Sequence, residues 1–171
     1  MATNGFNKLV LIGESNVGKT NICQRFAFKE FEPNLPHTNG ASYASRVISL
    51  PDNNKITLDI WDTAGQKKYR ALTKFFYKDA KGIILVYDPT DEETFVELKE
   101  FWYNEVKNNT SNITLAVVAN KSDLDDKIVN DEDGEKFAES IGAIFASVSA
   151  KDNIGLSDLL ERMGQNMQCC N

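Results

Sequence analysis

Apolar runs and helical periodicities alternate along this chain. Apolar-rich stretches, several of them near-continuous, predict strands at residues 6–12, 41–50, 55–61, 83–88, 113–119 and 144–147. A run as unbroken as Leu9-Val10-Leu11-Ile12 suits a strand covered by helices on both faces. Pro51-Asp52-Asn53-Asn54 separates the second and third runs with turn chemistry. One strand is therefore expected to run antiparallel at the sheet edge. Helices are predicted at 21–28 and after Thr90, Asn130 and Asn153. Thr90-Asp91-Glu92-Glu93 reads as a capping box, and Phe95, Leu98, Trp102 and Val106 then share one face. Leu156, Leu159, Leu160, Met163 and Met167 share a face of the last helix. The expected fold is α/β: a six-stranded, mostly parallel sheet with one antiparallel edge strand and helices on both faces. Its ligand belongs at the carboxyl ends of the strands.

Composition narrows the class. The chain has 171 residues, 42% hydrophobic and 26% charged, which suits one folded domain with a substantial core. The net charge of −6 argues against nucleic-acid binding by bulk electrostatics. No apolar run is long enough to span a bilayer, and residues 1–8 carry no apolar signal core, so secretion is not expected. Three cysteines, two of them adjacent at the end, make no disulfide framework and suit a reducing compartment.

The candidate chemistry begins between the first strand and the first helix. Gly13-Glu14-Ser15-Asn16-Val17-Gly18-Lys19-Thr20 is the pattern Gly-x4-Gly-Lys-Thr in a strand–loop–helix setting. A phosphate chain needs many close donors, and backbone N–H groups supply them once Gly13 and Gly18 let the loop curl. The helix that follows turns its positive end toward the anion. Lys19 would reach the outer phosphates, and the Thr20 hydroxyl would ligate Mg²⁺. Three further polar clusters follow predicted strands: Asp62-Thr63-Ala64-Gly65-Gln66, Asn120-Lys121-Ser122-Asp123 and Ser149-Ala150-Lys151. All fall on the same sheet edge as the phosphate loop.

In order and spacing these motifs resemble those of the Ras superfamily of small GTPases over essentially the full chain. Trp61, Phe76-Tyr77 and Cys169-Cys170 resemble the Rab branch in particular. The resemblance implies a P-loop NTPase G domain over residues 1–168, with a short double-cysteine tail at 169–171. It implies GTP or GDP bound with Mg²⁺ by Gly13, Ser15, Asn16, Val17, Gly18, Lys19, Thr20, Asn21, Phe31, Thr38, Asp62, Gly65, Asn120, Lys121, Asp123, Ser149, Ala150 and Lys151. Asp123 would accept from guanine N1–H and its exocyclic NH₂, and adenine would leave that carboxylate unpaired. Asn120 would take guanine's other edge, Lys121 would pack along the ring with Phe31 opposite, and the Ala150 N–H would meet the guanine oxygen. Thr20 and Thr38 would be the direct Mg²⁺ ligands, with Asp62 holding a water. Gln66 would orient the attacking water, and Lys19 and Thr38 complete the expected catalytic set. His37 is not expected to act as a base, because phosphoryl transfer rests on positioning and charge stabilisation. No arginine lies between Phe31 and Thr38 to act in cis. Turnover is thus expected to be slow, with an activator adding roughly 10³–10⁵-fold, a magnitude that belongs to relatives.

Switch loops around Thr38 and Gly65 are expected to order on the γ-phosphate. Tyr43, Trp61 and Phe76 resemble the Rab aromatic triad, with Asn39 beside them where Rab proteins usually carry Ile or Val. Effectors, an exchange factor and an activating protein are the implied partners, and the protein is expected to be monomeric. Lys67 stands where relatives carry a glutamate used in exchange, so an altered exchange mechanism or a divergent exchange factor is expected. Cys169 and Cys170 would carry two geranylgeranyl groups, placing the protein on the cytoplasmic face of endomembranes, cycling with the cytosol. Relatives have a longer tail there, so either the domain docks close to the bilayer or prenylation is inefficient. Three readings follow: a GTP-hydrolysing switch in vesicle-mediated traffic, a nucleotide-locked interaction module with little turnover, and a P-loop ATPase or nucleotide kinase. The last has no use for Asn120-Lys121-Ser122-Asp123.

Overall fold

The computed structural model of the protein describes residues 7–169. Six strands form one sheet in the order β2-β3-β1-β4-β5-β6. They are β1 (Asn7–Ile12), β2 (Ala41–Ser49), β3 (Lys55–Thr63), β4 (Ala80–Tyr87), β5 (Thr114–Ala119) and β6 (Ile144–Ser147). Only the β2–β3 pair is antiparallel, as the Pro51-Asp52-Asn53-Asn54 turn predicts.

The strands divide the core by alternation. Leu9 and Leu11 of β1, Ile84 and Val86 of β4, and Ala116 and Val118 of β5 enter one apolar cluster. Their neighbours Val10 and Ile12, Ile83, Leu85 and Tyr87, and Val117 and Ala119 enter the other. Successive side chains leave a strand on opposite faces, so continuous apolar runs are what a doubly covered sheet requires. On the first face lie α1 (Lys19–Phe28), through Ile22 and Phe26, and α6 (Leu156–Cys169), through the leucines and methionines of its expected stripe. The second face is covered by α2 (Arg70–Tyr77), α3 (Glu92–Glu97), α4 (Tyr103–Asn109) and α5 (Asp131–Ser140).

Several boundaries differ from expectation for physical reasons. β3 runs two residues past Trp61, because β2 pairs with it as far as Ala41 opposite Thr63. Asp62 therefore lies inside a strand and not after it. β4 starts at Ala80 and ends at Tyr87, and α1 starts at Lys19 instead of residue 21. Thr90 is not the cap of α3: Asp91 is, accepting from the Glu93 N–H at 3.1 Å, while the Thr90 hydroxyl donates to Asp88 at 2.7 Å. Asn130 caps α5 as expected, accepting from the Asp133 N–H. A π-helical turn, Leu98–Trp102, joins α3 to α4 and keeps Phe95, Leu98, Trp102 and Val106 in one cluster.

Gly134 in α5 shows how tightly the second face is packed. A Cβ there would lie 2.3 Å from the Tyr87 hydroxyl and 2.6 Å from the Phe145 ring. The Tyr87 hydroxyl is buried and has no hydrogen-bond partner among the described residues. Alanine ordinarily helps a helix interior by up to about 1 kcal/mol over glycine. Here overpacking wins: Gly134→Ala is predicted to destabilise the fold by about 1–3 kcal/mol in urea unfolding. Adding Tyr87→Phe is predicted to recover part of that loss, the Phe145 contact remaining, and strict additivity of the two changes would contradict this packing.

Candidate functional site

β1, β3, β4, β5 and β6 are mutually parallel, so their carboxyl ends share one edge of the sheet. Loops leaving that edge line a cleft of about 350 Å³. Ser15, Asn16, Gly18, Lys19, Thr20, Asn21, Phe31, Thr38, Gly65, Asn120, Lys121, Asp123, Ala150 and Lys151 all contribute to its walls. Residues from five separate stretches of sequence thus meet at one place. Gly13, Val17, Asp62 and Ser149 are buried behind the walls.

The phosphate loop can follow its path only with bare backbone at two points. A Cβ on Gly13 would lie 2.2 Å from the Val86 carbonyl oxygen. One on Gly18, whose φ is +95°, would lie 2.2 Å from Asn120 Nδ2. Gly18 caps α1, whose first turn contains no acidic residue, so the positive end of the helix is left uncompensated by its own side chains. Lys19 is buried, and Nζ donates to the carbonyls of Gly13 at 2.9 Å and Glu14 at 2.6 Å. Burial lowers its pKa to about 8, against the opposing pull of the Asp62 and Glu14 carboxylates.

Beside the lysine lies a knot of hard oxygens. Thr20 Oγ1 donates to Asp62 Oδ2 at 2.6 Å and lies 2.8 Å from Thr38 Oγ1, which is 3.3 Å from the same carboxylate oxygen. Asp62 is fully buried, and its Oδ1 has no partner among the described residues. Desolvation pushes its pKa up, while the Thr20 hydroxyl, the Lys19 charge and the Thr38 hydroxyl hold it down. No group of three His, Cys, Asp or Glu residues able to hold a metal occurs among the described residues. Two hydroxyls and one carboxylate with an orphaned oxygen instead fit Mg²⁺, a cation that leaves much of its shell to phosphate and water.

The other wall is held by side chains that brace one another. The Asp123 carboxylate is only 9% exposed, accepts from Ser149 Oγ at 2.6 Å, and lies 3.9 Å from Lys151 Nζ. Asn120 donates to the Val17 carbonyl at 2.9 Å and accepts from the Ala150 N–H at 3.1 Å. It thereby ties the phosphate loop to the Ser149-Ala150-Lys151 loop, and the Ala150 N–H expected to face a base is engaged with Asn120 here. Lys121, at φ +62°, pairs with the Asp88 carboxylate, which also accepts from the Thr90 N–H and hydroxyl. Arg25 donates to the carbonyls of Ala150 and Lys151, and its guanidinium lies 5.7 Å from the Phe31 ring centre.

Apart from His37, the remaining candidate residues singled out in the sequence lie outside this cleft. Gln66 is half-buried, in extended conformation ahead of a 3₁₀ turn, Lys67–Tyr69, and is not among the lining residues. His37 is exposed on the cleft wall, 3.1 Å from Ser15 Oγ. Tyr43, Trp61 and Phe76 meet as tilted rings in sequence, with ring centres 5.2 and 5.8 Å apart. Asn39 is exposed and accepts from the Tyr69 hydroxyl at 3.2 Å. Cys169 is the exposed last residue of α6, and Cys170 lies outside the described residues. Asp88 was absent from the expected set. Its signal was present, a carboxylate following the last residue of a strand that ends at the same sheet edge as the other clusters. The Pro33, Leu35 and Pro36 wall gave no such signal, because that loop has no periodicity.

Comparison with known proteins agrees with this geometry. The Ras family profile matches residues 8–169. The Ras-related protein SEC4 of Saccharomyces cerevisiae is 35% identical over 94% of this chain and 74% of its own length. The Ras-related protein Rab-18-B of Danio rerio is 39% identical over 91% of this chain and 76% of its own. The GTP-binding protein Rab-3D of Rattus norvegicus is 38% identical over 91% and 71% respectively. The chain therefore belongs to the Ras family of small GTPases, in its Rab branch.

Proposed function

We propose that the cleft holds GTP or GDP with Mg²⁺ and that the protein is a hydrolysing switch that recruits effectors in vesicle-mediated membrane traffic. One observation carries the choice of base: a nearly buried carboxylate, Asp123, lines the same cleft as the buried Lys19. A carboxylate there wants two donors side by side, which guanine has and adenine lacks. Lys19 and the N–H groups from Gly13 to Asn21 bind the phosphates. Thr20, Thr38 and Asp62 would hold Mg²⁺, which supplies charge neutralisation across the phosphates. Gln66 orients water, with Lys19 and Thr38 fixing the reacting end. The Asn120–Ala150 brace holds the loop around the base.

Thr38 and Gly65 belong to separate loops joined by the Ala64 N–H donating to the Gly40 carbonyl at 2.8 Å. Loss of the outer phosphate would loosen both, and with them the Asn39, Tyr43, Trp61 and Phe76 surface offered to effectors. Exchange and activating proteins act on the same loops. No helix among the described residues is long and apolar enough to cross a membrane. Attachment to the cytoplasmic face of endomembranes would come through lipids on Cys169 and Cys170.

Asp123→Asn is predicted to weaken GTP binding by roughly two to three orders of magnitude while ATP stays weak, in a fluorescent-nucleotide titration. Unchanged GTP affinity would contradict the assigned base contact. A second prediction follows from Lys19. Its folded pKa of about 8 lies below the ordinary 10.5, so between those values the unfolded chain binds a proton that the empty folded protein does not. Stability of the empty protein thus gains from this group as pH rises through that window. Phosphate restores the ammonium, so GTP binding at pH 8.5 is predicted to take up protons, and affinity to fall as pH rises further. Calorimetry in two buffers of different ionisation enthalpy measures this, and proton release on binding would contradict it.

A further inference from the structure

The Glu14 side chain belongs to the phosphate loop but does not line the cleft. It is only 14% exposed, and Oε1 accepts from the Arg70 guanidinium and from Trp102 Nε1 at 2.8 Å. Arg70 also pairs with Glu97 at 2.8 Å. Its guanidinium lies 4.1 Å from the Phe101 ring centre and 5.5 Å from that of Trp102. Phosphate loop, α2 and the α3–α4 helix thus meet on one planar cation. One nitrogen, Nη2, meets both carboxylates, while the guanidinium plane lies against the two aromatic rings, a flat contact that lysine cannot reproduce. Both aromatics come from the π-helical turn Leu98–Trp102.

The placement of Arg70 gives this cluster a consequence for chemistry. Arg70 opens α2, and only the 3₁₀ turn Lys67–Tyr69 separates it from Gln66. Ahead of Gln66, a Cβ on Gly65 would lie 2.4 Å from the Glu14 carbonyl carbon, so backbone is pressed on backbone. The short stretch that carries Gln66 therefore meets Glu14 at both ends, first through the main chain and then through the carboxylate. We propose that the Glu14–Arg70 pair, backed by Glu97 and Trp102, positions Gln66 for GTP hydrolysis. This rests on the reading of Gln66 as the water-orienting residue. Glu14 and Arg70 are positioning residues and touch no reacting atom. A chain segment released at one end would spread Gln66 over many conformers, and phosphoryl transfer depends on positioning above all.

Single-turnover hydrolysis of the full chain loaded with GTP and Mg²⁺ tests this. Glu14→Gln keeps an acceptor for Trp102 but removes the charge that holds Arg70. Arg70→Lys keeps a charge but removes the planar guanidinium that packs on Phe101 and Trp102. Each change is made with Gln66 present and again in Gln66→Ala. With Gln66 present, each is expected to slow hydrolysis on the order of tenfold. For Arg70→Lys, which lies outside the phosphate-binding residues, GTP and GDP dissociation rates are expected to stay within about twofold. In the Gln66→Ala background neither change is expected to slow hydrolysis further. Equal slowing in both backgrounds, undiminished hydrolysis in either variant, or nucleotide release from Arg70→Lys altered by the same factor as hydrolysis would overturn the inference. If Gln66→Ala itself hydrolyses at full rate, the reading of Gln66 falls, and this inference with it. A slow Gln66→Ala beside an unaffected Glu14→Gln removes this inference alone.

Discussion

A buried lysine beside a buried aspartate is the constraint from which the rest of the site follows. Among the described residues, Lys19 donates only to backbone carbonyls, and Asp62 satisfies one oxygen with two threonine hydroxyls and leaves the other without a partner. Buried charge held this loosely is unfavourable in a protein interior. An anion against Lys19 and a divalent cation against Asp62, Thr20 and Thr38 would satisfy both at once. With both bound, the knot would couple a phosphate chain to two loops that reach it from different parts of the sequence.

The sheet makes that knot possible by bringing distant residues to one edge. Alternating side chains on β1, β4 and β5 fill two apolar clusters and fix the strands from both faces. With its strands so held, the parallel part of the sheet delivers the Gly13, Asp62, Asp88, Asn120 and Ser149 regions to neighbouring places. The bracing contacts then lock loop to loop. Asn120 links Val17 to Ala150, Ser149 holds Asp123, and Asp88 holds Lys121. Under the proposed function, specificity for the base and grip on the phosphates would be parts of one hydrogen-bonded frame.

Much of this was readable in the residues, and the exceptions share a cause. The strands were visible because doubly covered strands must be apolar throughout, and the phosphate loop because only glycine tolerates its close approaches. What sequence order could not show were partnerships across long separations. Asp62 sits within β3 because Thr63 finds Ala41 across the hairpin, a pairing no local propensity encodes. The Asp91 cap replaced Thr90 because Asp88, two residues earlier, captures the Thr90 hydroxyl. The π-helical turn and the Arg70 cluster depend on Glu14, Glu97 and Trp102 arriving together, and their spacing in sequence carries no period.

The most direct test of the central claim is the affinity of the protein for GTP with and without magnesium, measured beside ATP under the same conditions. If Lys19 and Asp62 await an anion and a cation together, chelating Mg²⁺ weakens GTP binding by at least roughly tenfold, and ATP binds poorly throughout. GTP binding indifferent to magnesium, or ATP bound as tightly as GTP, would contradict it.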